Sequence, residues 1–411
     1  MSLTLKSSIL IVLVLAFAGT AFADDYHYRN FVVGDRASGM GGAYTAVSDD
    51  VSGLFYNPAG IMYSTGTNMS ASVNTYYNQS KTYNSVIGGQ NWKRESTALL
   101  PNYFGVIQPV GKFKIGLSYA VPDSANEDQD EVFYNVSSAV QSYTINFNNT
   151  DNTYLFGPSI AVELAKDFSV GMTLYFQQRR VQTTLNQLVE HVSGYEWSNK
   201  YYESNENGIR PVVGFLWSPM SKLAIGVSAA KTMVYESGTA SQSTCSDTVI
   251  DGSGCDKSIY KLDQYSNKKR NYPLQTNFGI AYFASSALIL SLEIDNNSKV
   301  TDENFGDKES VTNFAIGAEY YLDKNWAVRG GIYSNLSSAP TITTGVTSDA
   351  EEQTDIYGLS MSISHFTQSA SITLGTTITS GKGTAQITTD TTTQDVKVFG
   401  WMVNLSSSYS F

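Results

Sequence analysis

From about residue 66 onward, apolar and polar positions alternate with a period of two, the pattern of strands with two unlike faces. Phe113, Ile115, Leu117, Tyr119 and Val121 alternate with Lys114, Gly116, Ser118 and Ala120. The same pattern runs through Val170–Phe176, Leu288–Asp295 and Phe314–Leu322, and again through Phe399, Trp401, Val403 and Leu405 to the final Tyr409-Ser410-Phe411. His365 shares the face of Tyr357, Leu359, Met361 and Ile363, which places it at the rim of an apolar belt.

The connections fall into two kinds. Short turns are expected at residues 110–112, 165–167, 218–221, 284–286, 322–324 and 367–369. Long polar stretches, read as loops, lie near 78–96, 122–151, 182–205, 236–271, 297–309, 337–350 and 381–396. Six short turns alternating with seven long loops join fourteen strands. Short turns on one rim and long loops on the other mark a bacterial outer-membrane β-barrel with both termini on the periplasmic side. A sheet in lipid must close on itself, because each unpaired backbone group there costs several kcal/mol. A soluble sandwich would carry many Lys and Glu on its outer faces, and here the second face is Gly, Ser, Thr and scattered polar residues. The predicted fold is therefore an all-β, antiparallel transmembrane barrel of about fourteen strands, residues 66–411.

Within that wall, Pro158 interrupts an otherwise regular strand and removes a ladder hydrogen bond, so it is read as a possible wall defect. Glu293, Asp295, Glu319 and Arg329 fall on inward positions. Glu319 and Arg329 stand at mirrored distances from the turn at Asp323, a possible salt bridge in the lumen.

Residues 24–65 do not alternate. Gly39, Gly41 and Gly42 permit close backbone approach and positive φ. Asp49 or Asp50 can cap a short helix through Phe55, and Asn57-Pro58 stops it, because the residue before proline is pushed out of the α region. This segment is expected to fold apart from the alternating strands, around one short helix. Before it, Lys6, the apolar run Ile9–Ala18 and Ala21-Phe22-Ala23 read as a secretory signal peptide spanning residues 1–23.

Composition sharpens the picture. Only 15% of residues are charged, below the quarter or so usual in soluble domains, while 42% are hydrophobic. The net charge of −11 argues against nucleic acid as a partner, since phosphate binding needs a basic face. Cys245 and Cys255, in a Gly/Ser/Asp-rich stretch, are expected to form a disulfide. No histidine lies near them, so no metal site is expected. The acidic run Glu127, Asp128, Asp130, Glu131 is read as a solvated loop, with calcium binding as the sharper alternative. No nucleophile elbow, zinc-protease motif or phosphate loop is present, so no enzyme and no cofactor are expected.

The run GDRASGMGGAYTAVSDDVSGLFYNPAGI resembles the N-terminal signature of the OmpP1/FadL/TodX family of outer-membrane transporters, including its Asn57-Pro58-Ala59 motif. PNYFGVIQPVGKFKIGLSYAVP, from Pro101 to Pro122, resembles the family's second and third strands. The resemblance implies a fourteen-stranded barrel with an N-terminal hatch of short helices that plugs the lumen. It also implies passive uptake of long-chain fatty acids or aromatic hydrocarbons, with release sideways through the wall. Gly39, Gly41, Gly42, Asn57, Pro58, Ala59 and Gly60 would then be the hatch and gating residues. The expected partners are a hydrophobic small molecule and the lipid and lipopolysaccharide of the outer membrane, with the chain acting as a monomer. A general porin and a secretion accessory or structural surface barrel are the alternative readings.

Overall fold

The computed structural model describes residues 26–411 except 193, 238–240, 248–258, 262–267, 349 and 388–390. The signal peptide (1–23) and the Cys245–Cys255 pairing lie outside the described residues.

Seventeen strands occur among the described residues: β1 (Asn68–Ile87), β2 (Gln90–Val110), β3 (Phe113–Tyr134), β4 (Val140–Ala165), β5 (Phe168–His191), β6 (Gly194–Met220), β7 (Leu223–Ala230), β8 (Met233–Ser237), β9 (Ser241–Asp247), β10 (Ile259–Lys261), β11 (Gln275–Phe283), β12 (Leu288–Asn297), β13 (Val311–Tyr321), β14 (Trp326–Asn335), β15 (Glu352–Phe366), β16 (Ala370–Ala385) and β17 (Gln394–Ser410). Fourteen of them, β1–β7 and β11–β17, form a closed antiparallel wall. In it β7 pairs with β11, and β17 returns to β1. Strands β8 and β9 continue along the outer part of β6, and β10 pairs with β9. The six short turns all fall on one rim, as the sequence pattern predicts.

The opposite rim differs from expectation. Residues 78–96, 122–151 and 182–205 are not loops; the strands run on through them. Pairing continues to Ile87↔Gln90, Tyr134↔Ser142 and His191↔Gly194. Strands β1–β6 are thus 20–27 residues long, whereas β7 and β11–β14 have only 8–11. Beyond the membrane the outer face of a strand meets water, so both charge and polarity return there. Inward positions there carry a buried apolar cluster of Tyr83, Trp92, Phe133, Tyr143, Ile145, Phe147 and Leu185, with the ion pairs Arg94–Glu127 and Arg179–Asp151 beside it. The stretches 298–309 and 337–350 remain outside the named strands.

Within the belt the alternation holds. Leu290, Leu292, Ile294, Phe314, Ile316, Tyr320, Phe399, Trp401 and Leu405 are all exposed on the outer face. His365 is on that face too, its ring 4.6 Å from that of Trp326. Val121 breaks ranks and is 1% exposed. A register shift between Ala120 and Asp123 turns it inward.

Residues 26–64 lie inside the barrel. They form α1 (Asp35–Gly39), α2 (Gly53–Tyr56) and a 3-10 helix (Pro58–Tyr63). Val33, Ala37, Met40, Tyr44, Leu54, Ala59 and Ile61 are buried against the wall.

Candidate functional site

The wall accommodates the hatch through glycine. Gly105, Gly116, Gly171, Gly214, Gly226, Gly279, Gly317 and Gly331 all point inward, and a Cβ at any of them would stand within 3 Å of hatch atoms. Gly331 meets the backbone of Met40 and Gly41, and Gly171 meets that of Pro58 and Ala59. The hatch therefore packs main chain against main chain. Gly41 (φ 65°) and Gly42 (φ 78°) supply the left-handed turn after α1 that brings it onto Gly331. Gly39 rests on Arg329 and Ser362.

Asn57 holds the second contact. Its Nδ2 donates to the carbonyls of Thr45 (2.8 Å) and Phe215 (3.0 Å), while its Oδ1 accepts from the Ala59 amide. Pro58 begins the 3-10 helix, where a missing N–H costs nothing. Gly60 lies against Ser48. Asn57, Pro58, Ala59 and Gly60 are thus brought together as a clasp on β5 and β6.

Charge pins the other side. Glu319 and Arg329 face each other in register, with Arg329 Nε donating to Glu319 Oε1 at 2.7 Å. Arg36 of the hatch joins them, reaching Glu319 at 2.5 Å and Asp49 at 2.5 Å. Arg29 pairs with Asp295 (2.5 Å) and Glu293 (3.2 Å), and Glu293 also accepts the Tyr44 and Thr45 amides at 2.8 Å. Nearby, burial pushes the Asp50 carboxyl up to about 6, against the pull of Arg36. Sequence reasoning missed Arg29 and Arg36. They are the only Lys or Arg in 24–65, and three inward carboxylates on the wall needed partners.

A strap, residues 26–31, crosses the lumen. His27 Nε2 bonds the Thr354 carbonyl at 2.7 Å, and Asn335 Oδ1 accepts the amides of Tyr28 and Arg29. At the far end Asn30 Nδ2 donates to Asp123 Oδ1 (3.0 Å), and the Phe31 amide donates to the Pro122 carbonyl (3.2 Å).

That carbonyl lies at a gap in the wall. Strands β2 and β3 pair at Ser96↔Glu127 and again from Tyr103↔Ala120 to Val110↔Phe113, with no pair between. Residues 97–102 and 121–126 therefore leave each other's ladder, and Pro101 and Pro122 sit within the two stretches. Phe31 covers the gap from inside: its ring stands edge-on to Tyr77 at 4.9 Å and packs with Ala98 and Met402. Pro158, by contrast, faces outward in β4. Toward β5 the ladder skips Gly157 and Pro158, between Phe156↔Phe176 and Ser159↔Thr173, without a change of register, while toward β3 Leu117↔Pro158 is paired.

Between strap, hatch and wall lies a cavity of about 100 Å³, lined by Phe31, Val32, Phe55, Tyr56, Pro122 and Val212 together with the polar Arg29, Gln275, Asn277, Glu293 and Asp295. Arg210 enters it from β6. Its guanidinium donates to Gln275 Oε1 (2.7 Å) and lies 6.0 Å from the Phe55 ring centre. No carboxylate approaches it within 4 Å among the described residues.

The acidic run of β3 is divided by the pleat rather than gathered. Glu127 turns inward to Arg94 (2.7 Å), while Asp128 and Asp130 are exposed. Among the described residues no group of three or more metal-ligating side chains converges.

A family model described as outer membrane protein transport protein (OMPP1/FadL/TodX) matches residues 14–248. No curated protein sequence matches the chain. Among solved structures, a FadL homologue from Pseudomonas aeruginosa is similar, with a TM-score of 0.64 and 13% identity over 93% of this chain and 99% of that one. The Ralstonia pickettii toluene transporter TbuX gives a TM-score of 0.61 at 14% identity, covering 93% and 99%. The P. putida toluene transporter TodX gives 0.61 at 12% identity, covering 92% and 98%. At these identities the likeness establishes the fold.

Proposed function

Because the chain belongs to the OMPP1/FadL/TodX family of outer-membrane transport proteins, we propose that it is a passive channel that takes hydrophobic compounds through the outer membrane and releases them sideways. The observation that carries this reading is the alignment of three features: a part-apolar cavity, the strap residue Phe31 at its edge, and the unpaired stretch of β2 and β3 behind Phe31. A hydrophobic solute gains roughly 25 cal/mol for each Å² of apolar surface it buries. Withdrawal of the strap would join the cavity to the gap, and the solute would then pass into lipid without crossing the periplasmic rim. The clasp at Asn57–Gly60 and the arginine pins are the pivot about which the hatch shifts.

The substrate we favour has an acidic head on an apolar body, such as a fatty acid. Arg29, the other cation of the pocket, is paired with Glu293 and Asp295, whereas Arg210 has no carboxylate within 4 Å among the described residues; a charged hydrogen bond to it contributes about 1.5–3 kcal/mol. Neutral aromatic hydrocarbons, the cargo named for TodX and TbuX, are the second reading.

The test is uptake of labelled palmitate and labelled toluene by cells whose only hydrophobic channel is this protein. Palmitate uptake above an empty-vector control, falling about tenfold or more in Arg210→Gln while toluene is unaffected, supports the reading. No uptake of either, with large steady ion currents in planar bilayers, would identify a porin instead.

A further inference from the structure

One row of side chains on the outer surface is unlike the rest of the belt. Lys382 on β16 and Lys397 on β17 are direct cross-strand partners, and both are exposed. The row continues through Thr82 on β1 to Lys93 on β2. Like charges placed directly opposite each other on a sheet destabilise it. The pair nonetheless has no carboxylate within 4 Å among the described residues. Asp355, the partner of Lys382 on β15, accepts the Ser337 amide at 3.2 Å, and Asp395 is exposed two residues before Lys397; neither forms an ion pair with the two lysines among the described residues. Lys93 pairs with its own neighbour Glu95.

The position of the row is as telling as its charge. Along β17 the lipid face reads Leu405, Trp401, Phe399 and then Lys397; along β16 it reads Leu374, Ile378, Ser380 and then Lys382. Tyr76 stands 4.8 Å from Trp401, and Tyr357 is exposed on the adjoining strand. These aromatics form the girdle that marks a membrane interface. The lysines follow it by one pleat, on the rim away from the short turns. Given the outer-membrane orientation, that rim faces the outer leaflet, and one pleat beyond the girdle is headgroup depth. Neighbouring strands are about 4.8 Å apart, so Lys382 and Lys397 can close on a single phosphate.

We propose that Lys382 and Lys397 form a binding site for a phosphate of the outer-leaflet glycolipid, the phosphorylated disaccharide of lipopolysaccharide. The bound anion supplies the charge that the opposed lysines lack. The girdle aromatics beneath them meet the acyl chains of the same molecule, which a free phosphate would not engage.

Native mass spectrometry of the full barrel in detergent with added lipid A tests this. The wild type should hold lipid A, and the double variant Lys382→Gln/Lys397→Gln should hold it about tenfold less. Dephosphorylated lipid A should bind the wild type as weakly as lipid A binds the variant. The control Lys166→Gln/Lys324→Gln makes the same charge change at the short-turn rim and should bind lipid A like the wild type. Heat-modifiable gel mobility confirms that each barrel is closed. Equal binding by wild type and variant would overturn the assignment. So would an equal loss in the control, or displacement of lipid A by equimolar phosphatidylglycerol.

Discussion

Arg36 and Glu319 bind hatch to wall through a carboxylate that is already in use. Glu319 gives Oε2 to Arg36 at 2.5 Å and Oε1 to Arg329 at 2.7 Å. The hatch guanidinium thus completes a three-membered array whose other two members belong to adjacent strands. Removing one member of a buried array leaves an uncompensated charge, at a cost of about 3–5 kcal/mol.

Glu319→Gln should therefore loosen the hatch more than Arg36→Met, because it strands two arginines rather than one aspartate. Protease nicking within 26–64 and flickering ion current should both rise in the order wild type, Arg36→Met, Glu319→Gln. Barrel mobility on gels should stay the same. An unchanged current in Glu319→Gln would show that the ion pairs do not hold the hatch.

Gly331 has no space for a side chain, since its Cβ would collide with the Met40 and Gly41 backbone. Overpacking typically costs about 1–3 kcal/mol. Gly331→Val should displace α1 and raise bilayer conductance. The same change at Gly330, whose Cβ would meet only Ser360 O at 4.0 Å, should not.

Asn30 and Asp123 touch across the wall gap at 3.0 Å. Cysteines at both positions, as Asn30→Cys/Asp123→Cys, should tie the strap to β3 when oxidised. Hydrophobic uptake should fall several-fold and recover with reductant. Uptake indifferent to oxidation, with the cross-link verified by mass, would remove the strap from the transport path.

Asp50 sets a pH dependence. Burial raises its carboxyl from 3.8 to about 6, so folding favours the neutral acid. Its contribution to hatch stability is fully present below about 3.8 and is lost as pH rises through about 6. Hydrogen exchange of hatch amides, corrected for intrinsic rate, should be slower at pH 5 than at pH 7.5. Asp50→Asn should abolish most of that difference.

The sequence made the wall legible because lipid imposes a strict alternation. Leu290, Leu292 and Ile294 could face nowhere but outward, and the six short turns gave the strand number. It hid the height of the wall. Above the membrane, water lies outside and apolar side chains inside, so the strand around Phe147 reads like a polar loop with scattered hydrophobes. It also hid the gap. Pro158 draws attention as a lone proline, and the ladder toward β5 does skip it and Gly157, but that interruption is short beside the stretches 97–102 and 121–126 between β2 and β3. Two prolines on neighbouring strands, Pro101 and Pro122, were the better signal, but their adjacency depends on a register that alternation alone does not give. The ion pairs were half visible: Glu319 and Arg329 could be matched across a turn, whereas Arg36 comes from 283 residues away.

That separation governs assembly. The strap is the earliest described stretch of the chain, yet His27 finds Thr354 across 327 residues and Tyr28 finds Asn335 across 307. Contacts so distant in sequence form late, because the chain between must first be closed into a loop. Residues 26–36 consequently wait, unsatisfied, until β13 to β15 have been laid down, and seating the hatch belongs to the final steps of folding. The precursor expected on this ground is a wall with an unoccupied lumen, which refolding into a bilayer would show as ion conductance that falls with time; a barrel that never conducts as it refolds would place the seating of the hatch earlier.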